Sequence, residues 1–326
     1  MARKEGKLSE VNVERMGRPA SMRVLVVGGS GFIGSHVADV LLERGYQVRI
    51  FDRRPSPYLR PGQEMVVGDA LNEQQVRQAV AGCDYVYNFA GLADIEAANT
   101  RPVDTVRLNV LSNAILLEAC RQEGIKRFMY ASTIYVHGEA GGFYRCSKQA
   151  AELYIETFQR EHGLAFTMLR YGSLYGPRAD QTNAVHRYLA QALRSGKIEC
   201  LGDGEETREY IHVLDAARNS VEVLTADFEN QYVILTGHQP IKVRVLLEMI
   251  QEILSKKIEI AFTTPNETVH YRMTPYTFNP RIGKKFIGTY YLDIGQGLLA
   301  CLHEIDEHER SQPAHSVEPH NVVVNG

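Results

Sequence analysis

Apolar runs and amphipathic stretches alternate along the first half of this 326-residue chain. The apolar runs, rich in β-branched residues, are RVLVV (23–27), QVRIFD (47–52), EMVVGD (64–69), DYVYNFAG (84–91), RFMYAS (127–132) and FTMLRY (166–171). The stretches at 32–44, 72–81, 102–123 and 144–162 show the spacing of amphipathic helices. Strands buried on both faces and joined by helical crossovers give this pattern, so it predicts an α/β fold with a parallel sheet between two layers of helices.

The second half of the chain has a less regular rhythm after Gly172. Shorter predicted strands lie at 197–202, 209–213, 231–237 and 257–262, with predicted helices near 182–195, 214–226 and 243–255. Because no low-complexity linker separates the halves, we expect residues 22–172 to form one domain and residues 173–306 mainly a smaller α/β lobe that shares a cleft with it. The polar, poorly patterned segments 1–21 and 307–326 are expected to be loose extensions.

Composition and charge exclude several classes of partner. Thirty-six basic and thirty-nine acidic side chains leave a formal net charge of −3, so the chain lacks the overall cationic field that favours nucleic acids or anionic membranes. The five cysteines are scattered without a CxxC pair, which indicates reduced thiols and no metal centre. The sequence shows neither an apolar run of membrane-spanning length nor the apolar core of a signal peptide, and we expect a cytoplasmic protein.

The segment RVLVVGGSGFIGSH places Gly28, Gly31 and Gly34 directly after the first apolar run and at the start of a predicted helix. Backbone without Cβ can turn tightly and approach a pyrophosphate, whose charge is stabilised by the free N–H groups and the positive end of the helix dipole. The second run ends in Asp52, eighteen residues beyond Gly34, where a carboxylate can accept hydrogen bonds from the adenosine ribose. This combination predicts a Rossmann-type, doubly wound domain that binds NAD.

Other residues bear on the choice of cofactor and on its adenine end. Asp52 disfavours a 2′-phosphate, whereas Arg53 and the arginine after it can accept one, so the choice between NAD and NADP stays open. Asp69, at the end of the third run, could hydrogen-bond the adenine amino group or cap the following helix. Small residues at the end of the fourth run would let the cofactor lie against backbone, in the segment that contains Phe89, Ala90 and Gly91.

Thr133, Tyr144 and Lys148 form a candidate catalytic group. Tyr144 and Lys148 are four residues apart at the start of a predicted helix, so both side chains project from one face. A free tyrosine has a pKa of about 10 and is a weak base at neutral pH, but a neighbouring ammonium would lower that pKa towards the working range. Thr133, just past the fifth run, can hydrogen-bond the same substrate hydroxyl and orient it. The alternative is that Tyr144 only packs and Lys148 is solvated.

The order of these motifs resembles that of the extended short-chain dehydrogenases/reductases of the nucleotide-sugar epimerase/dehydratase family. The resemblance spans roughly residues 22–306 and rests on the glycine turn, NFAG, LNVLSNAILLEAC, ASTIYVHG, YRCSK, LRYGSLYGPR and TREYIHVLDAA. It implies that NAD is bound by the glycine turn, by residues at the strand ends, and by Tyr144 and Lys148. The further cofactor-binding residues that it implies are Phe32, Ile33, Ala70, Asn109 and Tyr171.

The resemblance also implies a nucleotide-sugar substrate held by the second lobe. Arg208 in TREYIHV and Arg272 in VHYRMTP would lie near the diphosphate, where planar guanidinium groups bind two oxygens each. Arg178 and Ser173, both in YGSLYGPR, are further candidates, and Thr133 would contact the sugar hydroxyl. Ser173 stands where the family usually has asparagine, and the sequence around Arg272 departs from the family's arginine-proline-glycine-aspartate. For the arginines the alternative is a surface ion pair.

Two departures from the family pattern bear on the reaction. The dehydratases place an aspartate and a glutamate directly after the catalytic threonine, whereas Ile134 and Tyr135 stand here. Only ten residues separate the catalytic threonine from the tyrosine, and the usual longer, proline-bearing segment over the sugar pocket is absent. We therefore expect a site open to a larger or unusual sugar. Asp94 and Glu96 lie in a loop that either faces this pocket or is solvated.

These observations predict an NAD-dependent nucleotide-sugar epimerase acting at C4, in which hydride passes to the cofactor, the 4-keto sugar turns, and hydride returns to its other face. Rival enzymes are a 4-keto reductase, a dehydratase and a C4-oxidising decarboxylase. A non-enzymatic rival is a dinucleotide-sensing regulator, which typically loses the tyrosine or the lysine. Related enzymes commonly pair through the helices at 102–123 and 144–162, so we expect a homodimer built around a four-helix bundle.

Overall fold

The computed structural model describes residues 21–255, 257–263, 270–275 and 283–311. In chain order its strands are β1 (Arg23–Val27), β2 (Gln47–Asp52), β3 (Gln63–Val67), β4 (Tyr85–Asn88), β5 (Arg127–Thr133), β6 (Phe166–Tyr171), β7 (Ser173–Tyr175), β8 (Lys197–Leu201), β9 (Thr207–His212), β10 (Gln231–Leu235), β11 (Pro240–Lys242), β12 (Glu259–Thr263) and β13 (Lys284–Lys285). Its α-helices are α1 (Phe32–Glu43), α2 (Glu73–Val80), α3 (Ile95–Thr100), α4 (Pro102–Val106), α5 (Ser112–Gln122), α6 (Gly142–His162), α7 (Ala184–Ser195), α8 (Val213–Glu222), α9 (Val243–Leu254) and α10 (Ile294–Ser311).

The largest sheet has eight strands in the order β13-β10-β6-β5-β4-β1-β2-β3, and every neighbouring pair in it is parallel. The predicted α/β fold with a Rossmann-type parallel sheet is therefore confirmed. From β1 the chain adds β2 and β3 on one side and β4, β5 and β6 on the other. The loops that follow β1 and β4 consequently leave in opposite directions, and they open a crevice where sheets of this kind bind ligands.

Strand β1 shows how helices cover both faces of the sheet. Val24 and Val26 belong to one buried cluster, together with residues of α1 and α8. Leu25 and Val27 belong to a second buried cluster, together with residues of α2, α5 and α6. Because side chains alternate across a strand, this continuous apolar run contributes to two cores at once.

The second half of the chain builds a core of its own and also returns to the large sheet. It holds a three-stranded sheet, β11-β9-β7, and a two-stranded sheet, β12-β8. Leu189, Ile198, Leu246 and Leu298 lie at the centre of a third buried cluster, which joins α7, β8, α9 and α10. Strands β10 and β13 extend the first sheet, so two segments that follow the predicted boundary at residue 172 pack in the sheet of the first domain.

Several features differ from the predicted pattern. Elements α3, β7, β11, β13 and α10 were not predicted, and the helix predicted at 102–123 contains a π-helical turn, Arg107–Leu111, between α4 and α5. Residues 307–311 belong to α10, which corrects the predicted start of the C-terminal tail. The remainder of the two predicted extensions, 1–20 and 312–326, lies outside the described residues.

Membrane-spanning helices and clusters of metal-ligating side chains are two features that bear on the class of protein. No helix in the part of the chain that the structure describes combines the length and the apolar character needed to cross a membrane. Nor do the described residues contain a group of three or more His, Cys, Asp and Glu side chains placed to hold a metal ion.

Candidate active site

The three candidate catalytic residues come together at the carboxyl end of β5. Thr133 is the last residue of β5, and Tyr144 and Lys148 lie in the first two turns of α6. All three residues are buried. The Thr133 hydroxyl and the Tyr144 phenol share a hydrogen bond. The spacing of four residues on one helix face and the position after the strand therefore produce the expected cluster.

Two glycines allow α6 to begin so soon after β5. Gly141 and Gly142 have φ values of 96° and 49°, a left-handed backbone that costs little without a Cβ. A Cβ on Gly142 would overlap the side chain of Asn99, whose Oδ1 accepts the N–H of Phe143 at 2.9 Å. This tight start presents Tyr144 to Thr133 across a short connection.

Helix α6 also holds that connection in place. The Gln149 side chain donates from Nε2 to the carbonyl oxygen of Val136 at 3.0 Å. Arg145 donates from a terminal nitrogen to the carbonyl oxygen of Gly138 at 2.8 Å. The segment between the catalytic threonine and tyrosine is therefore fixed to the helix that carries the tyrosine.

Burial controls the proton equilibria of the pair on α6. It raises the pKa of Tyr144 to about 12, and the hydrogen bond with Thr133 opposes this change. Burial lowers the pKa of Lys148 to about 8, against the attraction of the Glu152 carboxylate. The Lys148 ammonium donates to the carbonyl oxygen of Ala131 at 2.8 Å and lies 5.9 Å from the centroid of the Tyr144 ring. The pKa of Tyr144 is thus raised by burial in this structure, opposite to the lowering expected from Lys148.

Backbone atoms pack tightly against Gly28 and Gly34 in the glycine turn after β1. Gly28 has a φ of 76°, and a Cβ there would lie 2.6 Å from the backbone nitrogen of Ala90. A Cβ on Gly34 would overlap the carbonyl oxygen of Gly28. Gly31 is the N-cap residue of α1 and has no side chain with which to cap it. The N–H groups of the first helical turn are therefore left to a ligand or to solvent.

Asp52 lies at the tip of β2, beside the glycine turn. Its Oδ2 accepts the backbone N–H of Ser30 at 3.1 Å, and its Oδ1 accepts that of Arg54 at 3.2 Å. These bonds fix the carboxylate at the crevice while leaving it half-buried. Arg53, next to it, is exposed. The arrangement suits recognition of two ribose hydroxyls by one carboxylate.

Asp69, the residue assigned to the adenine end, lies beyond β3, and the further cofactor candidates Phe32 and Ile33 lie at the start of α1. Asp69 is exposed and accepts the backbone N–H of Leu71 at 2.9 Å. The cap of α2 is Asn72, whose side chain accepts the N–H of Gln75, so the alternative role of Asp69 as the helix cap is wrong. Ile33 and Ala70 are partly buried against the apolar cores, and the partly buried Phe32 packs edge-on to His36 at 6.4 Å.

The segment after β4 is fixed by Asn109, which lies in the π-helical turn. Asn109 Oδ1 accepts the N–H of Leu92 at 2.6 Å, and its Nδ2 donates to the Leu92 carbonyl at 3.0 Å and to Ser147 Oγ at 2.9 Å. Gly91 makes the approach possible, because a Cβ there would lie 2.6 Å from Asn109 Oδ1. Asn109 therefore ties the cofactor loop to the catalytic helix, which is a positioning role and differs from the expected direct contact.

Tyr171, at the end of β6, is held by contacts within the protein. Its hydroxyl lies 2.6 Å from Ser220 Oγ on α8 and is buried. Its ring packs 6.5 Å from that of Phe89 in the loop after β4. Phe89 and Ala90 remain at the crevice, but the structure gives Tyr171 a packing role behind them.

Arg178 is separated from the other substrate candidates. Its guanidinium pairs with Asp39 of α1 at 2.7 Å, and its backbone N–H donates to Glu304 of α10 at 3.0 Å. The same guanidinium stacks over the ring of Tyr58 at 4.5 Å. The structure contains the alternative stated for this residue, an ion pair, and its assignment to the substrate stays a prediction.

Arg208 and Ser173 gather around Tyr271. Arg208 donates to the Tyr271 carbonyl oxygen at 2.6 Å, and its guanidinium lies 4.2 Å from the centroid of the Tyr271 ring. The Ser173 hydroxyl shares a hydrogen bond with the Tyr271 phenol. Arg272 points elsewhere: it is 70% exposed and pairs with Asp203. The structure therefore separates the two arginines that were expected to share a diphosphate.

Tyr135 and His270 are site residues that sequence reasoning missed. Tyr135 Oη lies 2.8 Å from His270 Nδ1, and the Tyr135 ring lies 6.2 Å from the Tyr144 ring at an interplanar angle of 78°. Tyr271 packs on the other side of Tyr135, with centroids 4.7 Å apart. The segment VHYRMTP contains His270, but its arginine, Arg272, was the residue assigned to the site. Nothing in a single sequence pairs two residues 135 positions apart.

The neighbouring acidic residues have local partners. Asp94 caps α3 by accepting the N–H of Ala97 at 2.7 Å, and Glu96 lies in the first turn of that helix. Asp94 is still close enough to His270 for its charge to raise the pKa of the imidazole. The loop before α3 thus faces the site, although its carboxylate serves as a helix cap.

Comparison with known proteins agrees with this geometry. A family model described as the NAD dependent epimerase/dehydratase family matches residues 24–234. A putative UDP-glucose 4-epimerase of Methanocaldococcus jannaschii is 27% identical over 272 residues, which cover 77% of this chain and 88% of that protein. A dTDP-glucose 4,6-dehydratase of Streptomyces antibioticus is 29% identical over 224 residues, covering 60% and 66% of the two chains.

Among solved structures, a UDP-glucose 4-epimerase with UDP-glucose from the hyperthermophilic eubacterium Thermotoga maritima superimposes with a TM-score of 0.78 at 25% identity. The match covers 88% of this chain and 100% of the Thermotoga maritima chain. The resemblance read from the motifs and the cofactor it implied, NAD, are thereby confirmed. The chain belongs to the NAD dependent epimerase/dehydratase family.

Proposed function

We propose that this protein is a nucleotide-sugar epimerase that inverts C4 of the sugar through a transient 4-keto intermediate. The observation that carries the proposal is the cluster of Thr133, Tyr144 and Lys148 beside the crevice at the carboxyl end of the sheet. The glycine turn opens at the same crevice, so a sugar carbon and a nicotinamide can meet there. Similarity to a putative UDP-glucose 4-epimerase at 27% identity supports the proposal.

The residues at the crevice fit NAD. Gly28 and Gly34 leave no room for a Cβ, and Gly31 leaves the start of α1 without a side-chain cap, which suits a pyrophosphate. Asp52 would hold the adenosine ribose. When bound, NAD accepts a hydride from the sugar and returns it. Because the hydride would return to the same carbon, the reaction as a whole would have no net change in redox state.

The protein's own groups would handle the proton. Thr133 positions the reacting hydroxyl of the sugar, and the Tyr144 phenolate takes its proton and later gives it back. Lys148 stabilises the phenolate with its positive charge, and a pKa of about 8 leaves most of this side chain protonated at pH 7. Arg208 is the arginine best placed to reach a diphosphate, because it lies on β9 and its guanidinium stacks on the Tyr271 ring.

The side chains after Thr133 favour epimerisation over loss of water. Ile134 is 1% exposed and packs against Ile234 and Tyr271, so it offers no proton. Tyr135 is bound to His270, and its pKa is raised, chiefly by burial. Elimination needs an acid for the departing oxygen and a base for the neighbouring carbon. Neither of the two positions after Thr133 carries a carboxylate.

A second copy of this chain is the proposed partner. Exposed apolar residues lie along the helical stretch from α4 to α5 and on α6, the two regions expected to pair. They are Val103, Val106, Leu111, Phe143, Leu153 and Tyr154. Packing these side chains against their equivalents in a second copy would remove them from water.

The test of the proposed reaction is incubation with UDP-, GDP-, CDP- and dTDP-hexoses and with UDP-glucuronic acid, followed by mass spectrometry and proton NMR. We expect a product of unchanged mass with altered ring couplings, and none with the variant Tyr144→Phe. A product lighter by one water would identify a dehydratase. A mass change of two hydrogens with stoichiometric cofactor consumption would identify a reductase, and loss of carbon dioxide from a uronic acid would identify a decarboxylase. Binding of NAD without turnover of any substrate would favour the regulatory protein.

A further inference from the structure

A segment of the second half, residues 270–275, lies across the short connection between β5 and α6. We call it the bridging segment. On one side its Arg272 carbonyl accepts the N–H of Thr207 on β9 at 2.7 Å. On the other side Pro275 packs on Gly138, where an added Cβ would lie 3.3 Å from the proline Cβ. The bridging segment therefore contacts both halves of the molecule, and the short connection does not leave this side of the site open as its length predicted.

The bridging segment and the short connection meet in an aromatic contact beside the catalytic tyrosine. Tyr271 packs on the ring of Tyr135 at 4.7 Å, and Tyr135 in turn lies edge-on to Tyr144 at 6.2 Å. Tyr135 Oη and His270 Nδ1 are joined at 2.8 Å. If the reacting hydroxyl of a sugar is bound by Tyr144, the part of the sugar ring next to that hydroxyl would lie against Tyr135.

We propose that Tyr135 and His270 form a sugar-binding wall, in which the phenol and the imidazole hydrogen-bond sugar hydroxyls next to the reacting carbon. This inference rests on the proposed function, because it assumes a sugar at Tyr144. The wall holds the ring in register with the catalytic tyrosine and selects sugars by the groups at that side. Tyr135 and His270 therefore determine specificity, and neither exchanges a proton with the reacting carbon.

The charges around the wall indicate a neutral sugar. Two cations, Arg187 and Arg208, and two anions, Asp94 and Glu206, act on His270 from both sides of the cleft. Desolvation is the largest influence and lowers the pKa of the imidazole, so the ring is uncharged at neutral pH. Because the two arginines are offset by the two carboxylates and the imidazole is uncharged, the carboxylate of a uronic acid would lose its water here without meeting a net positive charge. A hexose with hydroxyl groups needs only the hydrogen bonds that the wall supplies.

If the wall binds the sugar, substitutions in it should weaken binding of the sugar part of the ligand and leave binding of the nucleoside diphosphate unchanged. The quantity to measure is the sugar increment, the ratio of the Kd of the free nucleoside diphosphate to the Kd of its hexose conjugate, by calorimetry on NAD-loaded protein that carries Tyr144→Phe, in which turnover is suppressed at least about 100-fold. The UDP and dTDP series supply the probes. We expect Tyr135→Phe and His270→Ala each to lower the sugar increment about tenfold, because each leaves a polar group of the pair without its partner. The double variant should lose about as much as either single one, since the two groups act together.

The matched control is Tyr290→Phe, the same chemical change at a tyrosine that is 81% exposed; it should leave the sugar increment unchanged. The wall is refuted if Tyr135→Phe keeps the wild-type increment, or if it weakens the free nucleoside diphosphate as much as the conjugate. A larger increment for UDP-glucuronic acid than for UDP-glucose would overturn the neutral-sugar preference. Because binding is measured without turnover, an error in the proposed C4 reaction would leave these results intact and would appear only in the product analysis.

Discussion

The buried ion pair between Glu152 and Arg170 offers a sharp test of how the catalytic helix is held. Glu152 lies one turn after Lys148 on α6, and its side chain is 7% exposed, against 3% for Arg170. One carboxylate oxygen accepts from Ser132 Oγ at 2.6 Å and from Arg170 Nε at 3.0 Å, and the other accepts from the terminal Arg170 nitrogen at 2.7 Å. The pair thus joins α6 to β6 and to the residue before Thr133.

We expect Glu152→Gln to destabilise the protein by about 3 to 5 kcal/mol, the usual result of leaving a buried charge without its partner. The amide keeps one acceptor, but its NH2 group would face the donors of Arg170. The change also removes the negative charge that raises the pKa of Lys148, so less of the ammonium would be present at neutral pH. Activity should therefore fall even in the fraction that remains folded.

The assay is urea unfolding monitored by far-UV circular dichroism, because the sequence contains no tryptophan whose fluorescence could report unfolding. The matched control is Glu118→Gln, because Glu118 also binds its arginine, Arg121, through two bonds of 2.8 and 2.6 Å. Both side chains of that pair are exposed, at 43% and 39%, so water replaces the lost contacts and little stability should be lost. Equal losses in the two variants would refute the reasoning that burial sets the magnitude.

Four further predictions concern the site and the assembly. Tyr144→Phe should lower turnover at least about 100-fold, the typical worth of acid–base assistance, with bound NAD unchanged; normal turnover would assign the proton transfer to another group. Lys148→Met should weaken both turnover and NAD binding, and a loss of only one in kinetics and calorimetry would contradict its double role. Asp52→Ala should weaken NAD much more than NADP in calorimetry, and equal losses would remove this carboxylate from the ribose. Light scattering at micromolar concentration should give the mass of a dimer, whereas a monomer would leave the apolar face of α6 unexplained.

The first half of the fold could be predicted because its strands carry their own signal. Strand β1 contributes Val24 and Val26 to one core and Leu25 and Val27 to another, and only a strand buried on both faces needs such a run. The second half gave weaker signals. Strands β7, β11 and β13 have three, three and two residues, which is too short for any periodicity. Their pairing partners lie far away in the sequence, so tertiary contacts decide that they form.

The candidate site divides in the same way. Tyr144 and Lys148 were found because a spacing of four residues on a helix is a local rule. Arg178 was assigned to the substrate because a sequence shows an arginine but not its partner, which here is Asp39 at 2.7 Å. Asn109 was expected at the cofactor, yet its amide is used by Leu92 and Ser147. The residues that sequence reasoning missed or misplaced are those whose roles depend on a contact between distant segments.

The acid–base chemistry at Tyr144 depends on a cation reaching the phenol. Burial disfavours whichever form is charged, so it moves the pKa of Tyr144 up to about 12 and that of Lys148 down to about 8. The rise in the tyrosine pKa opposes phenolate formation by about 3 kcal/mol relative to water. The same low dielectric strengthens the attraction of any positive charge that approaches the ring. Lys148 donates to the Ala131 carbonyl and its ammonium lies 5.9 Å from the ring centroid, which is close enough for its positive charge to stabilise the phenolate. The base strength of Tyr144 therefore depends on the charge of Lys148, which the Ala131 carbonyl holds in place and the Glu152 carboxylate favours.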